Sequence, residues 1–362
     1  MASIQAIGER AAGLCWVNGF DLHAHRRLLL VRWGRVKGLA GAATVILSCP
    51  MSDSSRLAGR SVAVLGAGYV GGAFVRESLA RGLRVSALTR NAAKAADLRA
   101  AGCAQVVEAD LAGDGWHSEL RGPFDFVINC VSAGGGGVAG YWHSYVEGMR
   151  SLGLWLATQP AGGTVVYTSS TGVYPQGDGQ QVTETSATDG MGETGKALRE
   201  AEVELARGAA AAGWRWFVLR LAGIYGPGRH GMLDQLRAGA AVLPGDPAHH
   251  LNLIHRDDAC GAAWSCYGAP AAVRDEIFNV TDGAPALRSE VAAWLAGRLG
   301  VSCPIFGDHV GAQETGSNSF GARRRAPNRV VESVKLRRVL GWSPRFPDYR
   351  AGYAEGLLKA EC

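Results

Sequence analysis

Val62-Ala63-Val64-Leu65-Gly66-Ala67-Gly68-Tyr69-Val70-Gly71 runs four apolar residues directly into a GxGxxG pattern and on into a segment of helical periodicity. A buried strand, a tight turn and a helix start in that order form a phosphate cradle. Gly66 permits the turn, Gly68 lets backbone approach a pyrophosphate, and Gly71 lets helix and strand pack closely. Tyr69 and Val70 then bring their amides to the helix start, whose dipole favours an anion. The pattern predicts a bound dinucleotide.

Outward from this stretch, short apolar runs alternate with helical segments, the signature of βαβ units in a parallel sheet. The expected strands are 61–65, 84–89, 105–108, 124–130, 164–168 and 214–221. A helix over 69–81 turns Val70, Ala73, Phe74, Leu79 and Ala80 to one face, and Gly82 closes it. After about Gly226, glycine and proline punctuate shorter segments, with helices expected over 289–299 and 332–340 and a mobile loop over 307–321. The expected fold is therefore α/β, a doubly wound parallel Rossmann sheet over 56–226. A smaller C-terminal substrate lobe follows over 227–362, with segments returning to the core.

At the end of the second strand stands Leu88-Thr89-Arg90-Asn91, with no carboxylate until Asp97. A guanidinium there suits a ribose 2′-phosphate, so NADP(H) is favoured over NAD(H). A solvated arginine is the plain alternative. Asp110-Leu111 after the third strand and Val131-Ser132 after the fourth lie at the carboxyl edge, where ligands of open sheets bind; Asp110 could equally serve a turn.

Further blocks are Tyr167 to Tyr174 (YTSSTGVY), Leu219 to Arg229 (LRLAGIYGPGR), Ile254 to Asp258 (IHRDD), Phe278 to Gly283 (FNVTDG) and Leu340 to Pro344 (LGWSP). In this order they resemble the extended and atypical short-chain dehydrogenases/reductases, including nucleoside-sugar epimerases and dehydratases. The resemblance covers the chain from about residue 60 onward. It implies a Ser, a Tyr and a Lys acting together in hydride transfer. Ser170 matches the serine and Lys196 the lysine, yet the tyrosine position holds Gly192. Tyr145-Val146-Glu147-Gly148 likewise stands where an Asn-Val-x-Gly pattern is usual. Tyr141, Tyr145, Tyr174 and Tyr225 are candidate surrogate phenols, and each is also a natural packing aromatic. Ser170 could simply cap its strand, and Lys196 could be an exposed helical lysine or reach the nicotinamide ribose.

Charge narrows the partners. Arg10, Arg26, Arg27, Arg32, Arg35 and Lys37 face only Glu9 and Asp21 in the first 50 residues, which hold four of the five net positive charges. The nearly neutral remainder argues against nucleic acid, and no apolar run is long enough for a helical membrane span. The basic front, 1–55, reads as a transit peptide or disordered leader. Import to an organelle is expected, chloroplast ahead of mitochondrion; a start at Met51 would leave the protein cytoplasmic. Eight cysteines without a CxxC pair suit free thiols rather than a metal site or disulfide framework.

Two functional readings follow. One is an NADP(H)-dependent oxidoreductase or epimerase/dehydratase-like enzyme for a small carbonyl, hydroxyl or nucleotide-linked compound. The other is a catalytically silent NADP(H)-binding assembly or redox-sensing scaffold, as a homodimer or with an organellar protein partner.

Overall fold

The computed structural model describes residues 59–307 and 327–357, together with residue 57 and three strands further forward. Those strands, Leu14–Asp21, Arg26–Trp33 and Leu47–Ser48, form an antiparallel sheet within a separate unit, Met1–Ala58. The second unit, Gly59–Cys362, carries everything described below. Most of the loop expected over 307–321, and the arginine run 323–325, lie outside the described residues.

Seven parallel strands make the central sheet: β1 Ser61–Leu65, β2 Arg84–Thr89, β3 Gln105–Glu108, β4 Phe126–Asn129, β5 Thr164–Ser170, β6 Arg215–Leu221 and β7 Glu276–Val280. Their spatial order is β3-β2-β1-β4-β5-β6-β7. The order reverses between β1 and β4, which opens a crevice at the carboxyl edge between them. Val62 to Leu65 are fully buried, as strands covered on both faces must be.

Helix α1, Tyr69–Ala80, starts directly after the glycine turn and buries Val70, Ala73, Phe74 and Val75. Gly82, at φ +76°, turns the chain back toward β2. Helix α2 covers Ala92–Ala100. The run 137–156, here α3, is helical throughout but passes through a π-helical segment, Trp142–Glu147. Helix α4 is Glu193–Ala211. Helices α3 and α4 cross where the Cα of Gly208 would lie 3.2 Å from a Cβ on Gly153, a contact only small residues allow.

β1, β2 and β3 are found at their expected bounds, and β6 begins one residue later than expected. β4 is shorter than expected, and the Asp125 carboxylate just before it accepts from the Ser61 amide at 2.8 Å. β5 runs two residues further, so Ser170 is its last residue rather than part of the following loop. The helix expected from 332 begins at Val334, because Arg329–Val331 pairs as a strand with Gln180–Val182.

β7 comes from beyond residue 226 and pairs with β6 from Phe217↔Glu276 to Leu221↔Val280. The second half of the chain is thus stitched into the first. A separate apolar cluster, with Tyr225, Leu233, Leu243, Leu295 and Tyr353, holds the remaining C-terminal elements together. Among the described residues no helix is long and apolar enough to cross a membrane.

Candidate functional site

The glycine turn is sterically committed. Gly66 has φ +86°, and a Cβ on it would stand 2.7 Å from the Val131 amide nitrogen. A Cβ on Gly71 would meet the Gly66 carbonyl oxygen at 2.1 Å. Gly68, by contrast, is exposed and faces open space. Its N–H donates to Gly66 O at 2.8 Å, and no side chain caps the start of α1. Bare helix-start amides beside an open glycine are what a diphosphate needs, so the residues present fit a dinucleotide.

A cleft of about 160 Å³ opens there. Of the expected residues, Gly66, Gly68, Arg90, Asp110, Leu111, Val131 and Ser132 line it; Thr89, Lys94 and Cys130 line it too and were not anticipated. Tyr69 and Val70, both expected there, are not among the residues lining it. The Val70 side chain is buried, and the Tyr69 ring packs beneath the guanidinium groups of Arg256 and Arg229, 5.3 and 5.5 Å from its centroid. A larger cavity of about 450 Å³ lies at the opposite, amino edge of the sheet. Its polar groups already satisfy one another: Arg60 pairs with Asp125 at 2.7 Å, and Arg215 donates to Thr164 and to the Ala269 and Pro270 carbonyls.

Charge gathers at the β2–β3 end of the cleft. Arg90 Nη1 meets Asp110 Oδ2 at 3.1 Å, and a Cβ on Gly134 would lie 3.0 Å from Arg90 Nη2, so the glycine-rich loop after β4 closes over this guanidinium. Asn91 caps α2 by accepting from the Lys94 amide at 2.9 Å, which fixes the turn carrying Lys94. Partial burial alone would raise the Asp110 carboxyl; the Ala112 N–H, Arg90 and His143 outweigh it and hold it below the ordinary range. His143, in the π segment, bridges Glu147 at 2.8 Å and Asp110 at 3.4 Å. Those contacts, the Glu147 hydrogen bond foremost, raise its imidazole.

Cys130 lines the cleft as a thiol that burial pushes up to about 12, so it is no nucleophile at neutral pH. Cys103, Cys130, Cys260, Cys266 and Cys303 are all free.

Ser170, Lys196 and Gly71 are not among the residues lining the cleft; Ser170, at the carboxyl end of β5, accepts at Oγ from the Gly172 amide at 3.0 Å. Its neighbour Ser169 points to the opposite face, as strand alternation dictates, and donates to buried Glu202 on α4 at 2.8 Å. The same carboxylate takes two bonds from Arg220, at 2.9 and 2.7 Å, and Arg220 donates on to the Tyr174 hydroxyl at 2.8 Å. Tyr174 in turn donates to Asn279 on β7. This buried network fixes the carboxyl ends of β5, β6 and β7 against α4.

The turn after Ser170 meets the start of α4 closely: a Cβ on Gly195 would lie 3.0 Å from Gly172 O. Ser170 and the Gly192–Lys196 segment are thereby neighbours. Gly192 is the N-cap of α4, and nothing lies within 4 Å of where its Cβ would be. Lys196 is exposed, its Nζ 2.6 Å from Glu193.

Of the candidate phenols, Tyr174 is consumed in the buried network. Tyr225 is buried beside Tyr353, its hydroxyl donating weakly to Asp348 O at 3.4 Å. Tyr141 and Tyr145 remain, 5.2 Å apart and packed on the cluster of Val173, Leu198 and Val331. His255 is buried, caps the helix Arg256–Tyr267 and packs against Phe346 with ring centroids 4.0 Å apart, a bracing role.

The profile of the NAD dependent epimerase/dehydratase family matches residues 62–281. Protein YeeZ of Escherichia coli K12 is 29% identical over 184 residues, 51% of this chain and 59% of that protein. The match thus spans less than two thirds of the curated relatives' length. Among solved structures, a functionally unknown conserved protein from Silicibacter pomeroyi superposes with a TM-score of 0.64 at 23% identity, over 84% of this chain and all of that one. The dTDP-glucose 4,6-dehydratase DesIV from Streptomyces venezuelae, solved with NAD, gives 0.66 at 22% over 82% and 97%. The UDP-glucuronic acid 4-epimerase from Bacillus cereus, solved with UDP-glucuronic acid and NAD, gives 0.66 at 15% over 81% and 98%. At these identities the structural likeness carries the fold.

Proposed function

The chain belongs to the NAD-dependent epimerase/dehydratase family, and from that premise we propose that it is an NADP(H)-dependent oxidoreductase or epimerase/dehydratase-like enzyme. Its substrate is a small carbonyl or hydroxyl compound or a nucleotide-linked one, received where the cleft meets the Ser170 turn. The observation carrying this reading is the sterically committed glycine cradle opening onto Arg90, at the end of β2 where an NAD-selective site would place an acid, and onto Lys94 in the first turn of α2. The helix-start amides that follow Gly68 would hold the pyrophosphate, and Val131 and Ser132 would flank the nicotinamide ribose. Ser170 would hold the substrate oxygen, while Lys196, once released from Glu193, would donate to the ribose hydroxyls. When bound, the dinucleotide supplies or takes up hydride.

The test is calorimetry with NADPH and NADH, followed by turnover with phenanthrenequinone, UDP-glucose and UDP-glucuronic acid. Tighter NADPH binding and turnover that Ser170→Ala abolishes are expected. Equal or absent binding of the two cofactors overturns the assignment.

A second reading, a catalytically silent NADP(H)-binding scaffold, draws on Gly192, which puts no side chain where the family pattern has its proton-relaying tyrosine. Tight NADPH binding without turnover, with a protein partner co-purifying, would decide for it. The basic front, 1–55, is assigned as an organelle-import leader, chloroplast ahead of mitochondrion. A fluorescent fusion of that segment remaining in the cytosol refutes this.

A further inference from the structure

Hydride transfer to a carbonyl leaves an alkoxide that must be protonated, so a redox site needs a proton donor within reach of the substrate oxygen. Neither expected partner offers one readily: Gly192 has no side chain, and the Lys196 ammonium is held by Glu193 in solvent. Of the titratable groups lining the cleft, Arg90, Lys94 and Asp110 belong to its charged end, and Cys130 is a half-buried thiol whose surroundings hold its proton.

The π-helical segment Trp142–Glu147 places one phenol differently. Tyr145 packs against both the main core and the Val173–Leu198 cluster, so it sits between the sheet and the Ser170 turn. The Ala133 amide lies near enough to its oxygen to favour the phenolate, which puts it beside the loop after Val131 and Ser132; those two line the cleft, and Tyr145 itself stands behind them. β4 and β5 run side by side with Asn129 opposite Tyr167. β4 ends at Asn129, whereas β5 runs three residues past Tyr167 to Ser170, which is still paired with Leu221 of β6. Tyr145 is only half-buried, and π segments inside α-helices recur at functional sites because they re-aim side chains.

Building on the redox reading above, we infer that Tyr145 is the catalytic proton donor, occupying from α3 the role that Gly192 leaves empty on α4. In the reductive direction the substrate carbon accepts a hydride from reduced nicotinamide, which is thereby oxidised, as the carbonyl π bond breaks. The Tyr145 O–H bond breaks, its proton passes to the substrate oxygen held by Ser170, and the phenolate is reprotonated from water. The Ala133 N–H has one bearing here. Its direction of influence favours the phenolate that transfer creates. Tyr141, with its ring 5.2 Å away, holds the Tyr145 ring in place.

The test combines Tyr145→Phe, Tyr141→Phe and Gly192→Tyr with two readouts. With NADPH and phenanthrenequinone, Tyr145→Phe should lose roughly 10²–10⁴-fold in kcat, with NADPH affinity within about threefold of wild type and the melting temperature retained. Tyr141→Phe should lose far less, and Gly192→Tyr in the Tyr145→Phe background should restore part of the loss. Independently of turnover, the ultraviolet tyrosinate titration of the wild type should contain a phenol that shifts downward when NADP+ is added, because the cationic nicotinamide stands beside it; Tyr145→Phe should lack that shift. If Tyr145→Phe keeps turnover within about threefold while Ser170→Ala is inactive, or if the shifting phenol persists in Tyr145→Phe, the inference is wrong and the redox reading stands. A wild type that binds NADPH yet oxidises none of it overturns the redox reading, and this inference with it.

Discussion

A Cβ on Gly71 would lie 2.1 Å from the carbonyl oxygen of Gly66, so the first and third glycines of the cradle are each other's neighbours across the strand–helix turn. Gly71→Ala therefore cannot be absorbed by a side-chain rotation; backbone must move. The expected outcome is a loss of about 2–4 kcal/mol in stability by denaturant unfolding, together with loss of cofactor binding by calorimetry. Gly68→Ala, into open space, should fold normally and weaken binding only. Equal stability of wild type and Gly71→Ala would contradict the geometry.

Arg90 and Asp110 form a partly exposed pair at 3.1 Å, which a 2′-phosphate would have to share. Arg90→Ser should weaken NADPH binding about tenfold or more while changing NADH binding by less than about threefold, and the NADPH effect should shrink at high salt. Isothermal titrations at two ionic strengths check it. An equal loss for both cofactors would mean that Arg90 shapes the pocket without reading the phosphate.

Glu202 and Arg220 are about 1% and 2% exposed and share two hydrogen bonds. Removing one partner strands the other's charge in the core. Glu202→Ala should cost about 3–5 kcal/mol by urea unfolding, and the double variant Glu202→Gln with Arg220→Met should be less damaged than Glu202→Ala. A near-neutral Glu202→Ala would show that the network does not hold the ends of β5 to β7.

Asp282 is buried, with Oδ1 accepting from the Ala284 N–H and Oδ2 unpartnered. Burial foremost, helped by Asp348 and Asp258 and opposed by the Ala284 N–H and Arg337, lifts its carboxyl to about 7. The folded state thus binds a proton that the unfolded chain releases near the ordinary value of 3.8. The sign follows: this contribution is full below about pH 4, is lost as pH rises toward 7, and levels off above. Asp282→Asn should match wild type in acid and exceed it by about 1–3 kcal/mol at pH 8. Melting curves across that range measure it, and a gap independent of pH would refute it.

Much of the scaffold was legible because it is dictated locally. The glycine cradle is a matter of sterics between adjacent residues, and β1 to β6 announce themselves as apolar runs. β7 was quoted as a motif but not as a strand: Glu276–Val280 is short, follows a change of rhythm, and owes its place to pairing with β6 some 60 residues earlier. Lys94 was missed because it reaches the cleft only through the angle at which α2 leaves β2. The π segment left no trace, since one extra residue in a turn disturbs apolar periodicity too little to read. Hence Tyr145 could be named as one phenol among four but not singled out, and His143 was not noticed. Tyr69 and Val70 were rightly placed at the helix start, but their side chains turn away from the cleft, one under two guanidiniums and one into the core.

The seventh strand has a bearing on biosynthesis. β6 is made well before its outer partner, so a nascent chain that has emerged only to Leu221 presents an unpaired, apolar sheet margin, with Phe217, Val218 and Leu219 destined for full burial. A growing polypeptide in that condition is vulnerable to sticking to its siblings. Stalled or prematurely terminated products lacking residues 276–280 should accordingly be chaperone clients and inclusion-body formers, however complete their nucleotide cradle.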